Sequence, residues 1–169
     1  SRFLDPTFNQ RTDAYGGDAA NRFRLVGEIV AGIKAACGTD FPVLLKINSD
    51  TKGDDAAYES DLIYMLGEAR RLGAELVELS GVDFLSEPRT ATLYYLPRAK
   101  RLRRAVEEPL SLVGGVRSLA DMEEVIESGL DMVSLSRPLI CEPDLLPRLR
   151  AGQERSNCLG CNRCFVIAR

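Results

Sequence analysis

The sequence predicts an α/β fold built on a parallel sheet, and three observations carry that prediction. Segments with helical apolar spacing alternate with short apolar runs, in the order helix and then strand–helix four times. The short runs are nearly continuous in Val, Leu and Ile, as expected for strands covered on both faces. Consecutive strands separated by a helix can pair only as parallel neighbours through a crossover. Two architectures meet these conditions: an open doubly wound sheet, or part of a (β/α)8 barrel. A whole barrel takes about 250 residues, so four strand–helix units are roughly half of one. No Gly-x-Gly-x-x-Gly turn follows the first strand, which counts against a dinucleotide-binding Rossmann unit.

The elements follow in order. The first seventeen residues are polar and irregular and end in Gly16-Gly17. Asp18 can cap the next helix, because its carboxylate can accept from free N–H groups. Phe23, Val26, Ile29, Val30 and Ile33 form the apolar face of that helix, and Gly38 stops it. Val43 to Ile47 is the first strand. A second helix presents Leu62, Ile63, Leu66, Ala69 and Leu72 inward and ends at Gly73, before a strand from Leu76 to Ser80. The long stretch Gly81 to Leu96 is a functional or disordered loop by its length, and its Tyr94 and Tyr95 reach either the site or the barrel surface. Pro97 opens a basic helix that runs to about Val106. The third strand, Leu110 to Val113, leads directly into Gly114-Gly115. Ser118 and Asp121 make a capping pair for a helix ending near Gly129. Met132 to Leu135 is the fourth strand, followed by Ser136-Arg137-Pro138 and a short helix around Leu145 to Leu149. The division that results is a barrel part over 1–151 and a cysteine-containing tail over 152–169.

Composition narrows the function. Of 169 residues, 45% are apolar and 28% charged, and the formal net charge is −3, so there is no basic field for nucleic acid or an acidic membrane. No apolar run is long enough to span a bilayer, and the N-terminus has no signal-peptide h-region. Five cysteines, three of them in the last dozen residues, suit a reducing cytoplasm better than a secreted disulfide framework. There is no histidine, so the commonest acid–base group near neutral pH is missing. Chemistry must then come from a cofactor, from other side chains, or from residues outside this sequence.

Two consecutive strand ends point to an anion. In a barrel, the loops after the last two strands commonly hold a phosphate at the C-terminal face. Gly114 and Gly115 let backbone approach an anion closely, Ser136 and Arg137 add polar and charge-assisted donors, and the helix starting near Ser118 offers N–H groups. The alternative is a tight Gly-Gly turn with Arg137 paired to a surface carboxylate.

The opening segment adds a resemblance. Phe3-Leu4-Asp5-Pro6, Asn9, Arg11-Thr12-Asp13, Tyr15-Gly16-Gly17 and Asn21-Arg22-Phe23-Arg24 closely resemble a long, specific stretch of the Old Yellow Enzyme family. Leu112 to Arg117 and Asp131 to Pro138 are similar to that family's last two strands and phosphate turns. The terminal Cys-x-x-Cys-Asn-x-Cys resembles the branch containing 2,4-dienoyl-CoA reductase and trimethylamine dehydrogenase. The resemblance covers essentially the whole chain and implies barrel strands five to eight, the C-terminal half of a (β/α)8 barrel. It implies FMN as cofactor, with its phosphate held by Gly115, Ser136 and Arg137 beside Gly114. Lys46 falls where the family places a cation against flavin N1 and O2, although the family more often has arginine there; the alternative is a lysine reaching into solvent. Arg11, Asp13, Tyr15, Asn21 and Arg22 are expected to tie the first loop to the first helix, not to catalyse.

The resemblance also implies an NAD(P)H-dependent reductase of activated C=C bonds, whose His-x-x-His or His-x-x-Asn pair and first four strands lie upstream of residue 1. This chain by itself is then expected to be inactive, with the N-terminal half of the barrel as a partner and self-association covering its open edges. Cys158, Cys161 and Cys164 have metal-ligand spacing, but a 4Fe–4S cluster normally takes four thiolates and none follows Cys164. A cluster therefore fits the parent protein better than this chain. Two other readings stay open: a phosphate-binding barrel part without flavin, and a non-enzymatic, self-associating half-barrel.

Overall fold

Each strand of the sheet is a short apolar run that could not be buried without a helix on one side of it. A computed structural model describes residues 2–167. Four strands, β1 (Leu44–Asn48), β2 (Leu76–Ser80), β3 (Leu110–Val113) and β4 (Met132–Ser134), pair in that order. All three pairings are parallel, with Lys46 opposite Glu78, Glu78 opposite Ser111 and Ser111 opposite Met132. The intervening segments are α1 (Ala19–Cys37) before β1, α2 (Asp55–Arg71), α3 (Leu96–Ala105) and α4 (Leu119–Glu127). After β4 come α5 (Arg137–Cys141), α6 (Leu145–Arg150) and α7 (Arg163–Ile167).

The helix starts follow from local chemistry. Asp18 caps α1 by accepting from Asn21 N at 2.8 Å, and Asp54 caps α2 by accepting from Ala56 N and Ala57 N. At α4, Ser118 Oγ accepts from Asp121 N at 3.0 Å while Asp121 Oδ2 accepts from Ser118 N at 2.8 Å, a reciprocal capping box. The boundaries expected for α1, β2, β3 and α3 hold to within a residue. Helices α5 and α7 were not expected; Pro138 sits in the first turn of α5, where its missing N–H costs nothing. Ile29, assigned to the apolar face of α1, is in fact exposed, because the stripe that meets the core is carried by Phe23 and Val30.

Strand alternation divides the sheet into two unlike faces. Ile47, Val77, Leu79, Leu110 and Leu112 are buried against Leu62, Met65, Leu66, Ala99 and Leu102 of the helices. The other face carries Leu44, Lys46, Glu78, Ser111 and Met132, and Leu44 and Met132 are 58% and 48% exposed. The core therefore lies wholly between sheet and helices. On the other face Leu44 and Met132, in the two edge strands, stay exposed, whereas Ser111 at its centre is buried.

The opening segment behaves as expected of a structural tie. Asn9 Nδ2 donates to Phe3 O and Tyr15 O, both at 2.7 Å, and Tyr15 OH donates to Glu28. Buried Arg22 donates to Leu4 O at 2.8 Å, to Gly17 O, and to Asp61 on α2. Among the described residues no helix is long and apolar enough to cross a membrane.

Candidate anion and cofactor site

The C-terminal ends of all four strands open onto two adjoining cavities. The smaller, about 40 Å³, lies between the β3 and β4 ends and is lined by Gly114, Gly115, Arg117, Ser136, Arg137 and Cys158 among others. The larger, about 370 Å³, extends across the sheet to Lys46 and is walled by Phe84, Tyr94, Tyr95 and Phe165. Lys46, Gly114, Ser136 and Arg137 line the larger cavity, and Gly114, Gly115, Ser136 and Arg137 the smaller. Five residues spread over some ninety positions of sequence thus meet at one end of the sheet.

The two glycines are demanded by the fold as well as suited to a ligand. Gly114 has φ 126° and Gly115 φ 77°, values that L side chains rarely adopt. A Cβ on Gly114 would lie 2.6 Å from Tyr95 Cδ2, and one on Gly115 would lie 2.5 Å from Leu93 N. The turn is therefore packed beneath Leu93, Tyr94 and Tyr95, so both tyrosines belong to the mouth of the site, not to the outer surface. Tyr95 OH is buried with no partner, and loss of solvent pushes its ionisation upward.

Arg137 does not pair with a carboxylate among the described residues. Its guanidinium donates to Asn162 Oδ1 and to Tyr94 OH and lies 5.3 Å from the centre of the Phe84 ring. Phe84 in turn meets Phe165 edge to face at 5.4 Å. The Lys46 side chain is 59% exposed, and its Nζ is 2.5 Å from Glu78 Oε1, across the β1–β2 register. Ser136 precedes α5 and makes no capping bond.

One expectation fails. The N-terminus of α4 is not available to an anion, because Asp121 Oδ2 already accepts from both Arg117 N and Ser118 N, at 2.8 Å each, and Leu119 N donates to Glu154 O. The carboxylate that makes a good cap also repels a second negative charge.

Three residues were not anticipated as parts of the site: Glu78, Arg117 and Asn162. The parallel register alone would have exposed Glu78, but only once strand pairing was known. Among the cysteines, Cys158 lines the small cavity and Cys164 the large one. Cys141 is exposed, and partial desolvation, followed by the nearby Cys158, Glu142, Cys161 and Cys164, pushes its thiol up. Among the described residues no three Cys, His, Asp or Glu side chains form a group placed to hold a metal ion.

Four parallel strands in sequence order, joined by helices, make up a segment of an α/β barrel. The chain belongs to the NADH:flavin oxidoreductase / NADH oxidase family, whose model matches residues 1–156, and its fold is that of part of an Old Yellow Enzyme barrel. It is 32% identical over 181 residues to the multifunctional alkene reductase/demethylase OYE of Caballeronia cordobensis, covering 96% of this chain and 26% of that protein. It is also 32% identical over 166 residues to the NADH-dependent flavin oxidoreductase iliE of Neonectria sp., covering 87% of this chain and 21% of the other. Among solved structures, 2-naphthoyl-CoA reductase superposes with a TM-score of 0.80 at 26% identity, over 96% of this chain and 26% of that one. The chain thus spans about a quarter of the length of these relatives.

Proposed function

We propose that this chain is the FMN-binding part of an NAD(P)H-dependent oxidoreductase that reduces activated C=C bonds. The observation that carries the reading is the pair of joined cavities, with Arg137 in the small one and Lys46 at the far side of the large one. A phosphate-bearing, ring-containing cofactor asks for a small cationic pocket leading into a larger one with aromatic walls. Arg117 and Tyr95, which line these cavities, each keep a buried polar atom without a partner, Arg117 Nε and Tyr95 OH.

When bound, FMN would supply hydride transfer. The chain's own residues would do the holding. Ser136, Arg137 and the Gly114-Gly115 backbone take the phosphate, while Lys46, held by Glu78, sets a positive charge beside the ring system. Phe84, Tyr94 and Tyr95 exclude water from it. The reductant, the substrate and the proton-donating groups belong to the whole protein. The relatives' names, an alkene reductase and an NADH-dependent flavin oxidoreductase, support that assignment.

Titration of the purified chain with FMN, followed in the flavin absorption band with riboflavin as control, tests this. Saturable binding of FMN with at least about tenfold preference over riboflavin is expected, since only FMN brings the phosphate. Equal binding of the two, or none even with the N-terminal half of the barrel added, refutes the assignment.

A further inference from the structure

We infer that Arg117 is a second cation of the small cavity and that the pair Arg117–Arg137 selects a doubly charged phosphate monoester. The identification of that monoester as FMN rests on the preceding proposal; the two-cation anion site does not.

Arg117 is only 6% exposed. Its Nη1 donates to Arg89 O at 2.6 Å and its Nη2 to Ala91 O at 2.7 Å, while Nε has no partner. Two carbonyl dipoles orient a guanidinium but do not cancel its charge. Among the described residues no carboxylate forms an ion pair with Arg117. The nearest acidic groups are turned to other uses. Asp121 accepts from the backbone N of Arg117, and Glu87 lines the adjoining crevice without reaching either guanidinium. A buried charge left in this way is costly unless something of opposite sign arrives.

Arg137, only partly buried, likewise has no ionic partner among the described residues and is satisfied by an amide oxygen, a phenol and a ring face, all neutral. Both arginines line the same cavity of about 40 Å³, together with the Gly114-Gly115 turn. That space suits a group of a few heavy atoms. Two fixed positive charges match a phosphate monoester, which carries close to two negative charges above its second pKa of about 6. A carboxylate or a neutral hydroxyl would leave charge uncompensated. Gly160 packs close to the Arg117 guanidinium, since a Cβ there would stand 3.0 Å from Arg117 Nη1.

The competing role is a clamp that merely ties residues 89–91 to the tail. Arg117→Gln keeps an N–H donor for one carbonyl and removes the charge; Arg117→Lys keeps the charge and loses the fork. For a second cation, Arg117→Gln lowers FMN affinity about tenfold or more and leaves riboflavin affinity unchanged, and Arg117→Lys recovers most of the loss. For a clamp, both flavins weaken together in Arg117→Gln, which overturns the inference while leaving the FMN assignment intact. Should Arg117→Gln fail to fold, wild-type melting decides. Inorganic phosphate, but not chloride at equal ionic strength, is expected to raise Tm, more at pH 8 than at pH 5.5; no phosphate-specific rise overturns the inference. Phosphate stabilisation without flavin uptake would keep the anion site and remove the flavin.

Discussion

Glu142 shows how a single residue can hold a whole segment. It follows α5, is nearly buried, and is surrounded by donors from the tail. Ser156 Oγ and Asn157 N donate to Oε2 at 2.7 and 2.6 Å, and Asn157 Nδ2 and Gln153 Nε2 donate to Oε1 at 2.8 and 3.0 Å. The hydrogen bonds from Gln153 and Ser156, with those from Asn157, hold its carboxyl down at about 2 against the opposing effect of desolvation. The sign follows directly. A carboxylate whose folded pKa is depressed stabilises fully above its unfolded value, near 4.5, and loses that contribution as pH falls toward 2. Comparison of Tm against pH for wild type and Glu142→Gln is expected to show a wild-type advantage at pH 6 that shrinks below about 4.5 and vanishes near 2. A difference independent of pH would assign the role to shape, not charge.

At the scale of elements, α4 and the loop before α3 decide what the site can do. The α4 cap is reciprocal and uses both a hydroxyl and a carboxylate. Ser118→Ala is expected to cost about 1 kcal/mol, read by denaturant unfolding, with FMN preference unchanged because α4 contributes no N–H to the cavity. A loss of FMN preference in that variant would restore the α4 N-terminus to the site. The segment from Gly81 to Tyr95 lays Phe84, Tyr94 and Tyr95 over the strand ends, and the close fit of Tyr95 against Gly81 and Gly114 fixes its path. A Cβ at Gly81 would fall 2.1 Å from the Tyr95 ring.

The whole molecule is asymmetric in what it buries. Its helix-facing layer is closed, and its inner sheet layer exposes Leu44 and Met132, with β1 and β4 unpaired at their outer edges among the described residues. Such edges and apolar faces favour pairing. We propose that the remaining strands of the barrel cover this face in the whole protein and that copies of this chain cover it for one another when alone. Sedimentation equilibrium over a wide concentration range is expected to show a mass rising above one chain and falling back when the N-terminal half is added. A monomer mass at every concentration would sink the pairing idea. Iron and acid-labile sulfide analysis of anaerobically purified protein addresses Cys158, Cys161 and Cys164, for which the arrangement described here leads us to expect neither.

The parallel sheet, the order of its elements, the Gly114-Gly115 and Ser136-Arg137 strand ends and the α4 capping box were legible in the sequence. Each depends on residues close together in the chain, through apolar period, turn chemistry or side chain-to-backbone reach. Lys46, Gly114, Gly115, Ser136 and Arg137 were named as a set, and the fold brings them to one end of the sheet. What the sequence could not state was which distant group partners which. Glu78 against Lys46, Asn162 and Tyr94 against Arg137, and the absence of any counter-charge on Arg117 are properties of strand register and loop packing, between residues 32, 25 and 43 positions apart for the three contacts. A local pattern can specify a strand, a turn or a cap because its forces act within a few residues. Charge balance in a cavity depends on which distant groups desolvate one another, and only the tertiary structure decides that.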